Sequence, residues 1–442
     1  MHRSPPGFFA RLLAQSLRPL QHDCIRVVDG TRVYAFGGSG GATATVVVHH
    51  PRFYRRVVLG SGLGAAEAWI DGDWSCDDLT RLVRIFIRNR HLVERLNGVP
   101  AWLANLAAGA RHLWRRNTRA GARRNIHEHY DLGNDFFRLF LDETLSYSCG
   151  VFEHPQASLH EASQAKLERV CRKLDLRPSD HLVEIGTGWG GLAVHAAGQY
   201  GCRVTTTTIS AEQHRLASAR VAEHNLAGRV QVLGRDYRDL EGVYDKLVSI
   251  EMIEAVGHQY FSTFFEQASR LLKPDGRMLL QAIVIRDQFF SAHRHTADFI
   301  RQHIFPGGCL PSVTALCTAM TQASDLRLVH LEEMSDHYAR TLRAWRERFW
   351  NRREEARALG YTERFLRKWE YYLRYCEAAF EERQVNVVQM LLAKPRCHVD
   401  PLAIGLPAVE SPGSQAATGD GNEMPTALRP RSAAGPCLKG GM

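Results

Sequence analysis

The chain has 442 residues, 45% of them hydrophobic, which is long enough for two or three domains with a buried core. Its formal net charge of +9 favours an acidic partner, either nucleic acid or anionic lipid headgroups. No run of 18 apolar residues is present, so any membrane contact is expected to be peripheral. The ten cysteines include no C-x-x-C pair, so neither a zinc site nor a disulfide framework is predicted, and reduced cytosolic thiols are expected.

Residues 1 to about 78 combine short β-like runs with glycine-rich turns, which predicts a small α+β domain. The amino terminus lacks the continuous apolar core and the cleavage site of a secretory signal. From Asp78 to about Arg124 the pattern becomes helical and basic, with apolar residues from Leu79 to Phe86 on one helix face. Two interpretations of this basic segment stay open: a solvated helix face, or a membrane-surface segment whose arginines contact lipid headgroups.

The paired His127 and His129 have an i, i+2 spacing that is poor ligand geometry, so no metal site is predicted. From Leu182 to about Ile285, apolar strand-like runs alternate with helical patterns, which predicts a doubly wound, Rossmann-like α/β sheet that binds ligands at the carboxyl ends of its strands. The predicted strands are Leu182–Ile185, Val204–Ile209, Val230–Leu233, Lys246–Ile250 and Arg277–Ile285. A turn is predicted at Lys273-Pro274-Asp275-Gly276, before the last strand.

The first predicted strand leads into the glycine-rich turn Gly186-Thr187-Gly188-Trp189-Gly190-Gly191. Glycines there can adopt positive φ and let a ligand approach the backbone, while the following helix directs unpaired N–H groups toward it. A dinucleotide site would place an acid at the end of the next strand, but Val204–Ser210 contains none, so NAD is not predicted. Glu184 and Asp236 suit S-adenosylmethionine instead, because its amino group is cationic and its adenosine carries no phosphate.

The carboxyl-terminal part of the chain is expected to be helical, with aromatic residues that recur at helical spacing and are predicted to form core. These aromatic residues are Tyr338, Trp345, Phe349, Trp350, Trp369, Tyr371 and Tyr372. The last segment, from about Arg396 to Met442, is rich in Pro, Gly, Ala and Ser and has no aromatic residue, so it is predicted to be disordered.

Six short motifs follow one another in a fixed order between about Asn125 and Pro395. They are Tyr130–Phe137, Tyr147–Gly150, Glu184–Gly191, Ile209–Gln213, Glu251–Gly257 and Ile304–Gly308. With this set the chain resembles the cyclopropane-fatty-acyl-phospholipid synthases and the related mycolic-acid methyltransferases. The resemblance implies a class I methyltransferase domain at 125–395 and, more loosely through Gly62–Gly72, a lipid-associated domain with a basic helical linker at 1–124; residues 396–442 form the predicted tail.

The resemblance implies that S-adenosylmethionine donates a methyl group to the cis double bond of a phospholipid acyl chain, and that loss of a methyl proton then closes a cyclopropane ring. Two alternatives stay open. One is a related lipid methyltransferase that loses a different proton and leaves a methylene-branched or methyl-branched chain. The other is a non-catalytic lipid-binding protein. The implied partner is an anionic membrane contacted peripherally from its cytoplasmic side; nucleic acid is supported by charge alone, and a homodimer is left open.

The resemblance also implies roles for individual residues. Implied cofactor-binding residues are Tyr147, Ser148, Glu184, Gly186, Gly188, Gly190, Thr208, Gln213, Asp236, Tyr237 and Arg238. The implied base is a bound bicarbonate, held by Cys149, Glu254, Gln281, Tyr338 and the backbone of Ile283. Gln281 stands where a histidine is typical of the family, and a neutral amide can donate a hydrogen bond but cannot carry charge. We therefore expect weaker binding of the anion and turnover that depends on added bicarbonate.

Overall fold

The computed structural model describes residues 7–92 and 133–399, apart from His295 and Ala297. The described chain contains eleven strands in two sheets, of four and seven strands. The strands are β1 Cys24–Asp29, β2 Arg32–Gly37, β3 Thr43–Val48, β4 Trp74–Cys76, β5 His181–Ile185, β6 Arg203–Thr207, β7 Val230–Leu233, β8 Tyr244–Ile250, β9 Leu272–Ile285, β10 Arg327–Glu333 and β11 Val385–Ala393. The histidine pair at 127 and 129, the predicted boundary near 124 and most of the predicted tail lie outside the described residues.

The helices of the described chain surround these two sheets. They are α1 Phe8–Leu17, α2 Arg52–Ile70, α3 Leu79–Arg88, α4 Asn134–Arg138, α5 Leu159–Leu174, α6 Gly191–Tyr200, α7 Ala211–Glu223, α8 Phe261–Leu271, α9 Asp287–His293, α10 Val313–Ala323, α11 Ser335–Asn351, α12 Arg353–Ala358 and α13 Glu363–Glu381. Short 3-10 turns occur at Tyr237–Asp239, Ile253–Ala255 and His258–Tyr260, and a π-helical turn occurs at Ile300–Ile304. Among the helices of the described residues, none is long and apolar enough to cross a membrane.

The small sheet has the order β2-β1-β3-β4, in which β1 pairs antiparallel with β2 and parallel with β3. Its core is formed by alternate residues such as Ala44, Val46 and Val48 of β3, which point to one side of the sheet and are buried. The α+β architecture predicted for this region is confirmed: the β-like runs at 25–28, 32–36 and 44–48 lie in β1, β2 and β3, and a helix begins at Leu79 as its apolar pattern indicated.

The large sheet has the order β10-β11-β9-β8-β5-β6-β7. Strands β5 to β9 pair in parallel with one another, as the Rossmann-like prediction requires, whereas β11 pairs antiparallel with β9 and β10 pairs antiparallel with β11 at one edge. These last two strands were not predicted, since the sequence after Arg286 was expected to be helical. A buried strand such as β11 is a nearly continuous apolar run, and periodicity alone does not separate such a run from a helix.

The residues predicted as a turn at 273–276 lie within the bounds of β9, where they form an irregular stretch just before Arg277. The pairing of β8 with β9 passes from Tyr244 opposite Leu272 to Lys246 opposite Arg277, so β9 carries extra residues that β8 does not match. Proline and glycine therefore mark an irregularity within the strand rather than its start.

Helices α11 and α13 pack together and carry the aromatic residues that were predicted to be core. Trp345 and Trp369 are among the most buried large side chains, and Phe136 and Phe137 of α4 contact Trp369 edge-to-face. Trp350 is the exception, since 46% of it is exposed.

The described part of the basic segment is held by carboxylates. Arg84 pairs with Glu381 at 2.6 Å and with Glu382 at 2.7 Å, both at the end of α13. Arg88 pairs with Glu382 at 2.8 Å and with Asp23 at 2.9 Å. These arginines join α3 to α13 and β1 instead of forming an unpaired basic face, while residues 93–124 of the segment lie outside the described residues.

Candidate active site

The glycine turn joins β5 to α6 at the carboxyl edge of the large sheet. Gly186, Gly188 and Gly190 have φ values of +104°, +52° and +84°. The backbone N–H groups of Gly186 and Thr187 donate to the carbonyl oxygen of Thr207 at 3.1 and 3.0 Å, which fixes the turn to the end of β6. A Cβ added at Gly186 would lie 3.2 Å from Met252, whereas one at Gly188 would meet no atom within 4 Å. Glycine at position 188 therefore allows the positive φ of the turn and leaves space in which a ligand can approach the backbone.

Other residues predicted to bind the cofactor lie at or just beyond the same strand ends. Glu184 of β5 is 4% exposed and accepts a 2.6 Å hydrogen bond from Thr206 of β6. Burial raises the pKa of Glu184 to about 8. Strand β6 ends at Thr207, one residue before Thr208, whose hydroxyl donates to Gln213 at 2.8 Å. The parallel pairing of β5, β6 and β7 brings these loops to one edge of the sheet.

The acidic segment after β7 is already internally paired. The Asp236 carboxylate accepts hydrogen bonds from the Arg238 guanidinium at 2.9 and 2.7 Å and caps the short turn Tyr237–Asp239. The Tyr237 ring packs edge-to-face on Phe264, with ring centroids 5.7 Å apart. Asp236 and Arg238 thus form a fixed pair at the carboxyl edge, and Tyr237 contributes to the apolar contacts beneath it.

The Tyr147–Gly150 motif lies between the sheet and the aromatic helices. The Tyr147 hydroxyl shares a 2.8 Å hydrogen bond with the Tyr372 hydroxyl of α13. The Ser148 hydroxyl accepts a 3.1 Å hydrogen bond from Lys166 of α5. Lys166 is 2% exposed, and burial lowers its pKa while the charge of Glu251 opposes that change. Lys166 was not among the predicted site residues.

Glu251, the first residue after β8, is the acceptor at the centre of the site. Its Oε1 accepts hydrogen bonds from the Cys149 backbone N–H at 2.9 Å and from the Gln281 amide at 2.7 Å. Its Oε2 accepts the Tyr338 hydroxyl at 2.6 Å. Burial raises the pKa of Glu251, and the three donors oppose that rise because they favour the ionised carboxylate. The sequence prediction missed Glu251, although a carboxylate directly after a central strand is a signal that could have indicated it.

Glu254 lies one short turn farther along the chain. Its Oε1 accepts the Ile283 backbone N–H at 2.5 Å, and its Oε2 is buried without a hydrogen-bond partner in the described chain. Burial, followed by the charge of Glu251, raises the pKa of Glu254 to about 8. The two neighbouring carboxyl groups thus have different environments. Three donors favour the ionised form of Glu251, whereas Glu254 retains its proton at neutral pH.

A chain of side-chain hydrogen bonds fixes the orientation of Gln281. Lys173 donates to the Gln389 oxygen at 2.7 Å, Gln389 donates to the Gln281 oxygen at 2.9 Å, and Gln281 then donates to Glu251. Lysine is only a donor, so each amide in the chain must present its oxygen to the preceding group and its NH₂ to the next. Gln281 and Gln389 are both fully buried, and Gln281 therefore reaches Glu251 as a donor.

Cys149 contributes its backbone rather than its thiol. Its side chain is fully buried, and burial together with the charge of Glu251 raises the pKa of the thiol well above its usual value. A thiol in this environment stays protonated at neutral pH, which argues against a nucleophilic role.

Residues 117–390 match the family model described as mycolic acid cyclopropane synthetase. The chain belongs to this family. It is 39% identical over 407 residues to the tuberculostearic acid methyltransferase UfaA1 of Mycobacterium tuberculosis, covering 89% of this chain and 93% of the relative. It is 36% identical over 363 residues to the cyclopropane-fatty-acyl-phospholipid synthase of Escherichia coli, covering 80% of this chain and 89% of the relative.

Solved structures of family members share the fold of the large sheet. The cyclopropane synthase MmaA2 of Mycobacterium tuberculosis superposes with a TM-score of 0.58 at 33% identity, covering 62% of this chain and 98% of that protein. The mycolic acid cyclopropane synthase CmaA1, in complex with SAH and CTAB, gives a TM-score of 0.58 at 32% identity, also covering 62% of this chain and 98% of that protein. The predicted family, the Rossmann-like fold and the assignment as an S-adenosylmethionine-dependent methyltransferase are confirmed.

The two carboxyl groups with a pKa near 8 predict how stability depends on pH. Between the ordinary value of 4.5 and about 8, the unfolded chain ionises Glu184 and Glu254 while the folded chain keeps their protons. The folded state then binds more protons, so these two groups lower the free energy of unfolding as pH rises through this window. We expect Glu184→Gln to flatten the fall, measured by denaturant unfolding at several pH values.

The matched control is Glu266→Gln on the exposed face of α8, which should follow the wild-type pH profile. A wild-type and a Glu184→Gln profile that run parallel from pH 4.5 to 8 would contradict the assigned pKa of Glu184.

Proposed function

We propose that the protein transfers the methyl group of S-adenosylmethionine to the cis double bond of an unsaturated phospholipid acyl chain and closes a cyclopropane ring. The observation that carries this proposal is the Glu251 carboxylate, surrounded by neutral donors at the same sheet edge as the glycine turn. A fixed negative charge in such a site stabilises a cation that develops beside it. The E. coli relative, whose name specifies a fatty-acyl phospholipid, supports the substrate class.

The reaction passes through a carbocation, which must be protected from water. The π electrons of the alkene form a bond to the methyl carbon, the sulfur keeps the electrons of the broken S–C bond, and a carbocation remains on the chain. Tyr338 is 5% exposed and lies against Phe380, with ring centroids 4.4 Å apart, and near Trp345 at 6.1 Å. Aromatic faces attract cations, and a dry aromatic environment prevents hydration of the intermediate.

The cofactor-binding roles inferred from the resemblance are part of the same proposal. The turn at Gly188 would receive the methionine end of S-adenosylmethionine together with Tyr147 and Ser148. Thr208 and Gln213 would hold the ribose region, and the segment Asp236–Arg238 the adenine side. Their places at or near the carboxyl edge of the sheet support this arrangement, because ligands of doubly wound sheets bind there.

The second candidate product is a methylene-branched acyl chain. The specific observation in its favour is that the tuberculostearic acid methyltransferase matches more of this chain, at higher identity, than the E. coli synthase does. A hydride shift would move the cation to the methyl-bearing carbon, and loss of a methyl proton would then leave an exocyclic double bond. Both products add one CH₂ to the lipid, so mass alone does not separate them.

The proposed substrate is reached at the cytoplasmic face of an anionic membrane by peripheral contact. The net charge of +9 supports such contact through an attraction that salt would screen. Arg84 and Arg88 are engaged by carboxylates in the described chain, so they are poor candidates for headgroup contacts.

The test is to express the chain in a bacterial host that lacks cyclopropane lipids and to analyse the extracted phospholipids by proton NMR. We expect the high-field signals of cyclopropane protons to appear while alkene signals decline, and a Gly188→Val variant to give neither change. Vinylidene proton signals would instead identify the methylene-branched product. An unaltered lipid profile, with the protein folded and S-adenosylmethionine bound in vitro, would contradict methyl transfer to phospholipid.

A further inference from the structure

Glu251 has a backbone conformation that is rare for its residue type. Its φ is +47°, in the left-handed region that favours glycine, and it follows directly after Ile250, the last residue of β8. Its own N–H donates to the Gln281 carbonyl oxygen at 2.8 Å, so the backbone is held in this conformation by β9. Strained conformations persist where the surrounding structure enforces them, and they concentrate at functional sites.

The surroundings of the Glu251 carboxylate match those of a bound anion. Its three donors come from separate parts of the chain, namely the Cys149 backbone before α5, the Gln281 side chain in β9 and the Tyr338 hydroxyl in α11. None of the three carries a positive charge. The buried Lys166 ammonium, which donates to Ser148, acts on Glu251 through its charge but is not one of these three hydrogen-bond donors. A buried carboxylate that served only to stabilise the fold would more commonly be paired directly with a cation.

The same donors are those that the resemblance assigned to an external bicarbonate. Cys149, Gln281 and Tyr338 all donate to Glu251, and the Ile283 N–H donates to Glu254, which was itself assigned to the anion. A bicarbonate ion placed on this set would have to displace the Glu251 carboxylate from its hydrogen bonds. It would also meet the negative charge of that carboxylate at close range.

We propose that Glu251 is the resident catalytic base of this protein and replaces an external bicarbonate. The inference rests on the proposed function, since it requires the cation formed by methyl transfer. A C–H bond of the transferred methyl group breaks, its electron pair forms the C–C bond that closes the ring on the cationic carbon, and the proton passes to a Glu251 oxygen. The products are the cyclopropane lipid, S-adenosylhomocysteine and a protonated Glu251, which releases its proton before the next turnover.

Glu254 and Gln281 act on this base from either side. Three donors face Glu251, whereas the Oε2 of Glu254 has no hydrogen-bond partner in the described chain, so a single negative charge on the carboxyl pair is placed on Glu251. Gln281 is a positioning residue, because the chain from Lys173 through Gln389 directs its NH₂ group to Glu251. An imidazolium at this position would form an ion pair with Glu251 and lower its basicity, whereas a neutral amide donates without supplying charge.

The test uses the purified full chain, S-adenosylmethionine and vesicles of cis-unsaturated phosphatidylethanolamine and phosphatidylglycerol in degassed, bicarbonate-free buffer. Formation of S-adenosylhomocysteine is measured with and without added bicarbonate. We expect the wild-type rate to be the same in both conditions, in contrast to the dependence on bicarbonate that the resemblance implied. A wild-type rate that rises from near zero as bicarbonate is added would overturn the proposal, because an external anion would then be the base.

Two variants separate the base from a structural role. Glu251→Gln should lower kcat by about 10²–10⁴-fold, the usual contribution of a general base, while the affinity for S-adenosylmethionine is retained. Glu251→Gly removes the carboxylate and relaxes the left-handed backbone, so it should fold and should regain turnover when bicarbonate is added. Full turnover of either variant without bicarbonate overturns the assignment. Glu266→Gln, on the exposed face of α8, is the matched control.

Failure of the proposed function gives a different result. If the wild-type protein binds S-adenosylmethionine but forms no S-adenosylhomocysteine with any unsaturated vesicle, whether or not bicarbonate is present, methyl transfer to phospholipid is contradicted. Methyl transfer that proceeds but requires bicarbonate contradicts only the role of Glu251.

Discussion

Replacement of Gly188 by valine is expected to abolish binding of S-adenosylmethionine. Gly188 has a φ of +52°, a conformation that a β-branched residue rarely adopts, and no atom lies within 4 Å of the position its Cβ would take. The valine side chain would either enter the space that the ligand needs or force the turn out of its conformation. Isothermal titration calorimetry should detect no binding at concentrations that saturate the wild type.

Gly228→Val is the matched control for this change. Gly228 lies in an exposed turn, has no positive φ and also has no neighbour within 4 Å of an added Cβ, so its replacement should leave affinity unchanged. A folded Gly188→Val protein with wild-type affinity would show that the glycine turn does not hold the cofactor.

The second large effect is expected from Gln281→Leu. This change removes a hydrogen bond to the charged Glu251 carboxylate, and such bonds contribute roughly 1.5–3 kcal/mol, which corresponds to about a 10- to 100-fold loss in kcat. It also leaves the Gln389 amide buried without its acceptor, which should lower the free energy of unfolding by about 1–3 kcal/mol. Initial rates on phospholipid vesicles and denaturant unfolding measure the two effects separately.

The pH profile distinguishes positioning of the base from general damage. Loss of a donor to the ionised form raises the pKa of Glu251 further, so the acidic limb of kcat should move to higher pH. The other groups that act on this carboxylate, Lys166, Glu254 and Tyr338, are unchanged by the substitution. Gln281→His should retain most activity at pH values where the imidazole is neutral, because it can then accept from Gln389 and donate to Glu251. A Gln281→Leu variant with an unmoved pH profile would argue that Gln281 does not act through Glu251, and Gln199→Leu on exposed α6 is the control.

The parallel part of the large sheet was predictable because its strands are short apolar runs separated by helical patterns and by one glycine turn. Strand β11 was not, because it follows the long helix α13 and its apolar run has no alternation. The arginines of α3 were recognisable as a basic stripe, but their partners Glu381 and Glu382 lie nearly 300 residues away along the chain. Local sequence patterns contain no information about such distant pairs.

The candidate site shows the same division. The sequence and the resemblance indicated Glu254, Cys149, Tyr338 and Gln281, and the structure engages the last three through the neighbouring Glu251. The position of Glu251 depends on a left-handed backbone and on donors from three segments, neither of which is visible in a sequence motif. In the sequence, Gln281 was recognisable only as a replacement for the histidine typical of the family. Its hydrogen-bond partner Gln389 belongs to β11, a strand that was not predicted.

The central claim is that a methyl group is transferred to an acyl-chain double bond and that one of its own protons is then removed. Its most direct test is turnover with S-adenosylmethionine that carries a trideuterated methyl group, followed by mass spectrometry and deuterium NMR of the product lipid. We predict that the added carbon has lost one deuteron and retains the other two, both located on a cyclopropane ring carbon. An added carbon that retains all three deuterons in a methyl group would contradict the account, because the proton would then have left from the acyl chain.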